Sequence, residues 1–72
     1  MGNKYPILRS GEIAGALAKK GFQYKSRKSS HAKYTNGTRV CIIPAHPTVA
    51  RGTLKSILDQ AGIDIDDFLT LL

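Results

Sequence analysis

At both ends of the chain apolar residues recur every three or four positions; in the middle they alternate with polar ones. Ile13, Ala14, Leu17 and Ala18 lay one apolar stripe along a helix over Gly11–Lys20, because side chains three and four apart share a helix face. Ser10 stands where an N-cap is expected, Lys19 and Lys20 fall at the negative end, and Gly21 supplies a stop. Gly15 costs a helix about 1 kcal/mol relative to Ala, unless its missing side chain lets the helix approach a sheet closely. Leu54, Ile57, Leu58 and Ala61 repeat the helical spacing, with Thr53 as the expected cap and Gly62 as the stop. Asp64 then caps a short last helix with Ile65, Phe68, Leu69 and Leu72 on one face. Asp66 and Asp67 fall in its first turn, where the helix dipole favours acids. Met1–Leu8 is an extended lead-in, with Pro6 holding Tyr5 out of helix. Pro44–Gly52 is a proline-stiffened loop.

The middle reads as strands. Phe22–Arg27 alternates Phe22, Tyr24 and Ser26 with Gln23, Lys25 and Arg27, the mark of a half-buried strand. Ala32–Tyr34 and Arg39–Ile43 flank Asn36–Gly37, a strong hairpin signal. A two-residue Asn36–Gly37 turn would mix charged and apolar residues on both faces. A three-residue loop, Thr35–Asn36–Gly37 with Gly37 left-handed in a bulge, sorts them. Ala32, Tyr34, Val40 and Ile42 then share the face under the helices, and Lys25, Arg27, His31, Lys33, Arg39 and Cys41 share the other. Register follows the hydrophobic pattern, so the bulged loop is expected. The order is α-β-β-β-α plus a terminal helical turn.

Seventy-two residues make one small domain, 1–72. Charge changes the picture more than size does. Residues 1–58 hold all eleven Lys and Arg against Glu12 alone, a balance of +10, whereas residues 59–72 hold Asp59, Asp64, Asp66 and Asp67, a balance of −4. A basic body of this kind points to a polyanion, most simply nucleic acid. Cys41 is the single cysteine, so no internal disulfide forms; it reads as a small buried hydrophobe. The start MGNKYPILRS lacks the apolar stretch of a signal peptide, and no apolar run approaches membrane-spanning length. A cytoplasmic protein with no membrane contact is expected.

Chemistry centres on His31, which opens a strand just after the basic, Ser-rich segment Ser26–Ser30. Cutting RNA requires a base for the ribose 2′-OH and an acid for the leaving 5′-oxygen, and imidazole serves both near neutrality. Neighbouring cations would hold the scissile phosphate and its developing charge. Arg27 and Lys28 precede His31 in what reads as a flexible loop, Lys33 follows it, and Arg51 and Lys55 flank the start of the Thr53 helix, whose N–H groups suit an anion. Together these five make a track for an RNA backbone. His46, between Pro44 and Pro47, is a secondary candidate as a second acid or base; the commoner role is to bond loop backbone, and that is the role expected. His31, Cys41 and His46 lack the spacing of a zinc site, so no metal and no cofactor is expected. Tyr24 and Tyr34 could stack on bases, but their alternation places them in the core. The residues alone leave His31 either a catalytic group or a surface residue without a task.

At this point a resemblance enters. Lys20-Gly21-Phe22, Ser30-His31, Ile43-Pro44-Ala45-His46 and Gly52-Thr53-Leu54-Lys55-Ser56-Ile57-Leu58 followed by Ala61-Gly62 resemble the HicA (YcfA-like) toxin–antitoxin ribonucleases, from about Ser10 to Leu69. The resemblance implies an α+β, double-stranded-RNA-binding-domain-like fold. It also implies an mRNA-cleaving endoribonuclease with catalytic His31, working without metal, and a HicB-like antitoxin that joins the toxin in a hetero-oligomer. Two departures stand out: the family often has Gly where this chain has Ser29, and a second His where it has Ala32. The rival class is a non-catalytic RNA-binding module of the same fold.

Overall fold

A computed structural model describes residues 4–72; the first three residues of the expected lead-in lie outside the described residues. The order is α1 (Ser10–Ala18), β1 (Gln23–Lys28), β2 (His31–Thr35), β3 (Val40–Pro44), α2 (Arg51–Ala61) and α3 (Ile65–Leu69). The strands form one antiparallel sheet in the order β1-β2-β3. This is the α+β arrangement expected from the pattern.

The helices form for the reasons the spacing gave, with small shifts at their ends. Leu54, Ile57, Leu58 and Ala61 are all buried on α2, and Gly62 ends it at φ +70°. On α1 the buried residues are Ile13, Ala16 and Leu17, so Ala16 rather than Ala18 faces the core. The caps differ from expectation. Arg9, not Ser10, is the N-cap of α1, and its N–H donates to the Glu12 carboxylate at 2.9 Å. Ala50, not Thr53, is the N-cap of α2; the helix begins two residues before Thr53, inside the expected loop. Asp64 does cap α3, accepting from the Asp66 N–H at 3.1 Å. The lead-in is tied down as well: Leu8 bridges Val49, whose N–H donates to the Leu8 carbonyl at 2.7 Å.

Gly15 is exposed, and a Cβ there would meet nothing within 4 Å. It is no close-approach glycine, so its helical cost is uncompensated. Gly15→Ala should therefore stabilise the fold by about 0.5–1 kcal/mol, raising a thermal melt by several degrees.

The register of the sheet departs from the expected one, and the departure decides the site. His31 pairs with Pro44, Lys33 with Ile42, Tyr34 with Cys41 and Thr35 with Val40. Cross-strand partners share a face, so Cys41 and Ile43 point under the helices while Val40 and Ile42 lie on His31's side. The core contains Cys41 and Ile43, both essentially inaccessible, while Val40 is 46% exposed. The cause lies in the turn. The Asn36 side-chain oxygen accepts the N–H groups of Thr38 and Arg39, at 3.0 and 2.7 Å, an Asx turn. The Thr35 hydroxyl accepts from the Gly37 N–H and donates to the Arg39 carbonyl. These bonds close a two-residue turn on Gly37, at φ +93°, and Thr38, in place of the expected three-residue loop, and that change from odd to even reverses the face each β3 residue takes. Arg39 consequently leaves His31's face and lies against Gly62, where an added Cβ would fall 2.7 Å from its guanidinium carbon.

A bulge does exist, but between β1 and β2. Tyr24 pairs with Tyr34 and Ser26 with Lys33, leaving Lys25 extra. A bulge reverses the alternation beyond it. Arg27 therefore pairs with Ala32 on the helix side, and Lys28 pairs with His31 on the other. Both helices pack against β3, and every residue of β1 is exposed. Tyr24, expected in the core, is 58% exposed.

Candidate functional site

His31 stands at the start of β2, between Lys28 on β1 and Pro44 on β3. Direct cross-strand partners hold their Cβ atoms about 4.5–5.5 Å apart, so Lys28 is the cation the fold sets beside the imidazole. The side chains of this face line an open groove of about 690 Å³: Ser26, Lys28, Ser29, His31, Lys33 and Ile42. No carboxylate lines it. The acids lie elsewhere: Glu12 and Asp64 cap helices, Asp59 pairs with Lys55, Asp66 pairs with Lys4, and Asp67 stands in the first turn of α3. The imidazole is therefore the one side chain lining the groove whose type suits acid–base work near neutrality.

The frame of the groove is rigid for local reasons. Ser29 and Ser30 alone join Lys28 to His31, so β1 and β2 meet in a two-residue hairpin. The Ser30 carbonyl accepts the Ala45 N–H at 2.6 Å, tying this turn to the end of β3. On the far edge of β3 the Ile42 N–H donates to the Gln60 side chain of α2 at 2.9 Å. With a strand period of two, Pro44 directs its missing N–H off the same edge, where a sheet tolerates it.

The expected phosphate track is divided by the fold. Lys28 and Lys33 flank His31, and both belong to strands rather than to a loop. Arg27 lies on the opposite face, where its Nε donates to the Ser29 carbonyl at 2.9 Å. Arg51 and Lys55 do not line the groove. The Arg51 Nε donates to the Tyr5 carbonyl at 2.9 Å, and Lys55 pairs with Asp59 at 3.2 Å on the exposed side of α2. Ser26 and Ile42 join the groove unforeseen. The bulge at Lys25, which brings Ser26 to this face, has no clear sequence signature, whereas the two-residue turn set aside for the hairpin would have put Ile42 on the side of His31.

His46 lines a separate hollow with Arg9, Ser10, Glu12 and Pro47 at the start of α1. Its backbone N–H, not its ring, makes the loop bond, to the Pro44 carbonyl at 3.0 Å. The expectation of an imidazole bracing the loop is thereby corrected. The ring is exposed. Cys41 sits in the core on the opposite side of the sheet from His31. Burial pushes its thiol up from 9.0 to about 11, so it stays neutral. The three residues weighed as metal ligands are thus not brought together.

Residues 10–63 match the family described as the HicA toxin of bacterial toxin–antitoxin pairs, three quarters of the 72-residue chain. The chain belongs to the HicA toxin family. It is the toxin of a toxin–antitoxin system and has a cognate antitoxin as its partner. No curated protein matches the chain. Among the described residues no helix is long and apolar enough to cross a membrane.

The two departures from the usual HicA pattern acquire physical meaning. Position 32 points away from position 31, since Ala32 pairs with Ile43 and Arg27 on the helix side. A second histidine there would stand outside the groove, so Ala32 takes nothing from it. Ser29 adopts φ +57°, a left-handed conformation costing an L-residue about 1–2 kcal/mol. Glycine would adopt it freely, with a larger loss of chain entropy. Ser29→Gly should raise the stability of this toxin by about 0.5–1 kcal/mol, or roughly 4–8 °C in Tm per kcal/mol. A melt unchanged or lowered would show that the serine turn is unstrained.

Proposed function

We propose that this HicA-family toxin is an endoribonuclease that cuts mRNA by metal-independent transesterification, with His31 as the principal acid or base. The observation that carries this reading is one exposed imidazole set between Lys28 and Lys33 in a groove without carboxylates. In the first half of the reaction a proton leaves the ribose 2′-OH, and the oxygen attacks the adjacent phosphorus. The bond to the 5′-oxygen breaks as that oxygen takes up a proton, His31 carrying one of the two transfers and solvent water the other. The products are a 2′,3′-cyclic phosphate and a 5′-hydroxyl. Lys28 and Lys33 neutralise the phosphate as its charge rises. Arg51 and Lys55, outside the groove, give at most remote backbone contacts, which add affinity without reading sequence, and Arg27 reaches RNA only from the opposite face of the sheet. His46 receives no chemical role.

One HicA-like domain over residues 1–72 carries the activity in the cytoplasm. A HicB-like antitoxin joins it in a hetero-oligomer; its acids would meet the basic face and cover His31.

The test is a defined transcript incubated with the purified protein in EDTA, with the new ends mapped. Cleavage that persists and leaves cyclic phosphate and 5′-hydroxyl ends is the expected result. Cleavage that stops in EDTA and returns with Mg²⁺ would replace the mechanism. A transcript bound but never cut would make the protein a non-catalytic RNA-binding module.

A further inference from the structure

Behind the groove, on the helix side of β1 and β2, lies a second hollow of about 210 Å³ lined by Tyr24, Arg27, Ala32, Tyr34 and Ile43, with Ser10 and Gly11 on its rim. We propose that it takes one unpaired nucleobase of a single-stranded RNA, next to the phosphate held in the His31 groove. The proposal rests on the ribonuclease reading and names a subsite of it.

Four observations carry it. First, an aromatic face is open where a core would have closed it. Tyr24 is 58% exposed, and its ring meets that of Tyr34 edge to face, 5.9 Å between centroids at 79°. Half-buried Tyr34 thus sets the orientation of Tyr24 and leaves its other surface free for stacking. Second, the bulge at Lys25 brings Tyr24 and Arg27 to one face although they are three residues apart, a spacing that would separate them in a regular strand. Third, the charge suits the occupant. No acid lines the hollow, and its rim is the first turn of α1, the positive end of that helix. Fourth, the hollow and the groove lie on opposite faces of the β1–β2 hairpin, whose tip is the Ser29–Ser30 turn. Lys28 and His31 leave it on one face, Arg27 and Ala32 on the other. A strand crossing this tip presents a phosphate to His31 and a neighbouring base to Tyr24. The size limits the occupant, since pockets for drug-sized ligands begin near roughly 300 Å³.

The test uses the full chain carrying His31→Ala, so that nothing is cut, and a single-stranded RNA containing the fluorescent base 2-aminopurine. Binding should quench the fluorescence. Adding Tyr24→Ala should weaken binding roughly 5- to 150-fold, the range of one lost base stack, and remove the quench. Its salt slope should be unchanged, because no phosphate contact is lost. Tyr24→Phe should keep both affinity and quench. Equal affinity and quench in Tyr24→Ala would overturn the subsite and leave the ribonuclease reading standing. Failure of the Tyr24-intact protein to bind RNA at all would overturn both. Lost antitoxin binding with RNA binding unchanged would give the hollow to the antitoxin and end the proposal.

Discussion

His31→Ala is expected to abolish toxicity in cells and to slow cleavage of a transcript in vitro by on the order of 10²–10⁴, the usual loss for one acid–base group. The size of the effect follows from the groove. It offers one imidazole, two lysines, two serines and an isoleucine. It holds no second imidazole and no carboxylate, so no neighbour replaces His31. The fold should survive, because the side chain is exposed and makes no hydrogen bond among the described residues; such substitutions usually change stability by less than about 0.5 kcal/mol. RNA binding should also survive, since the cations remain. Rate, affinity and melting temperature, measured on the same preparation, separate these outcomes. Full activity in the variant would move the site elsewhere. His46→Ala should have little effect on rate, because its ring lines another hollow. Equal damage from both substitutions with the fold intact would show that the histidines work together.

What the sequence showed and what it hid have different physical origins. The helices were legible because their periodicity is redundant. Leu54, Ile57, Leu58 and Ala61 all agree, and all are buried. The exposure of His31 was legible too, because it follows a polar segment and precedes an alternating run. Register was not legible. A strand face is set by parity, and one residue reverses it. Asn36–Gly37 announced a turn without fixing its length; the two bonds accepted by the Asn36 side chain belong to a two-residue turn on Gly37–Thr38, which gives the opposite faces from the expected three-residue loop. Hydrophobic sorting then favoured Val40 and Ile42 for the core, when Cys41 and Ile43 hold those places. The bulge at Lys25 hid for a different reason. Gln23–Lys28 is exposed throughout, so no burial pattern betrays where its alternation breaks. That break exchanges Arg27 for Lys28 beside His31. Of the five cations expected near His31, Lys28 and Lys33 line its groove, and Arg27, Arg51 and Lys55 do not.

Phe68→Ala is expected to remove a large part of the stability of the protein. Phe68 is completely buried, at 0% exposure, on a helix that begins at Ile65, beyond the family match ending at residue 63. The role of α3 thus rests on packing. Its ring belongs to the same cluster as Ile13, Leu17, Leu54 and Ile57, so α3 completes one core with both main helices. Truncating a buried phenylalanine to alanine costs about 3–5 kcal/mol, counting the cavity left behind. Native domains hold roughly 0.05–0.15 kcal/mol per residue, about 4–11 kcal/mol for a chain of 72 residues, so the loss takes a large part of the total. The melt should fall by tens of degrees, or the variant should be largely unfolded at 37 °C. Leu69→Ala is the contrasting case. Leu69 was expected to close the core with Phe68, yet it is 37% exposed, and its loss should shift the melt far less. Antitoxin, binding only the folded toxin, should raise the melting temperature of a partly folded Phe68→Ala variant in proportion to the logarithm of its concentration. A Phe68→Ala melt equal to wild type, with antitoxin binding lost instead, would move α3 from the core to the interface.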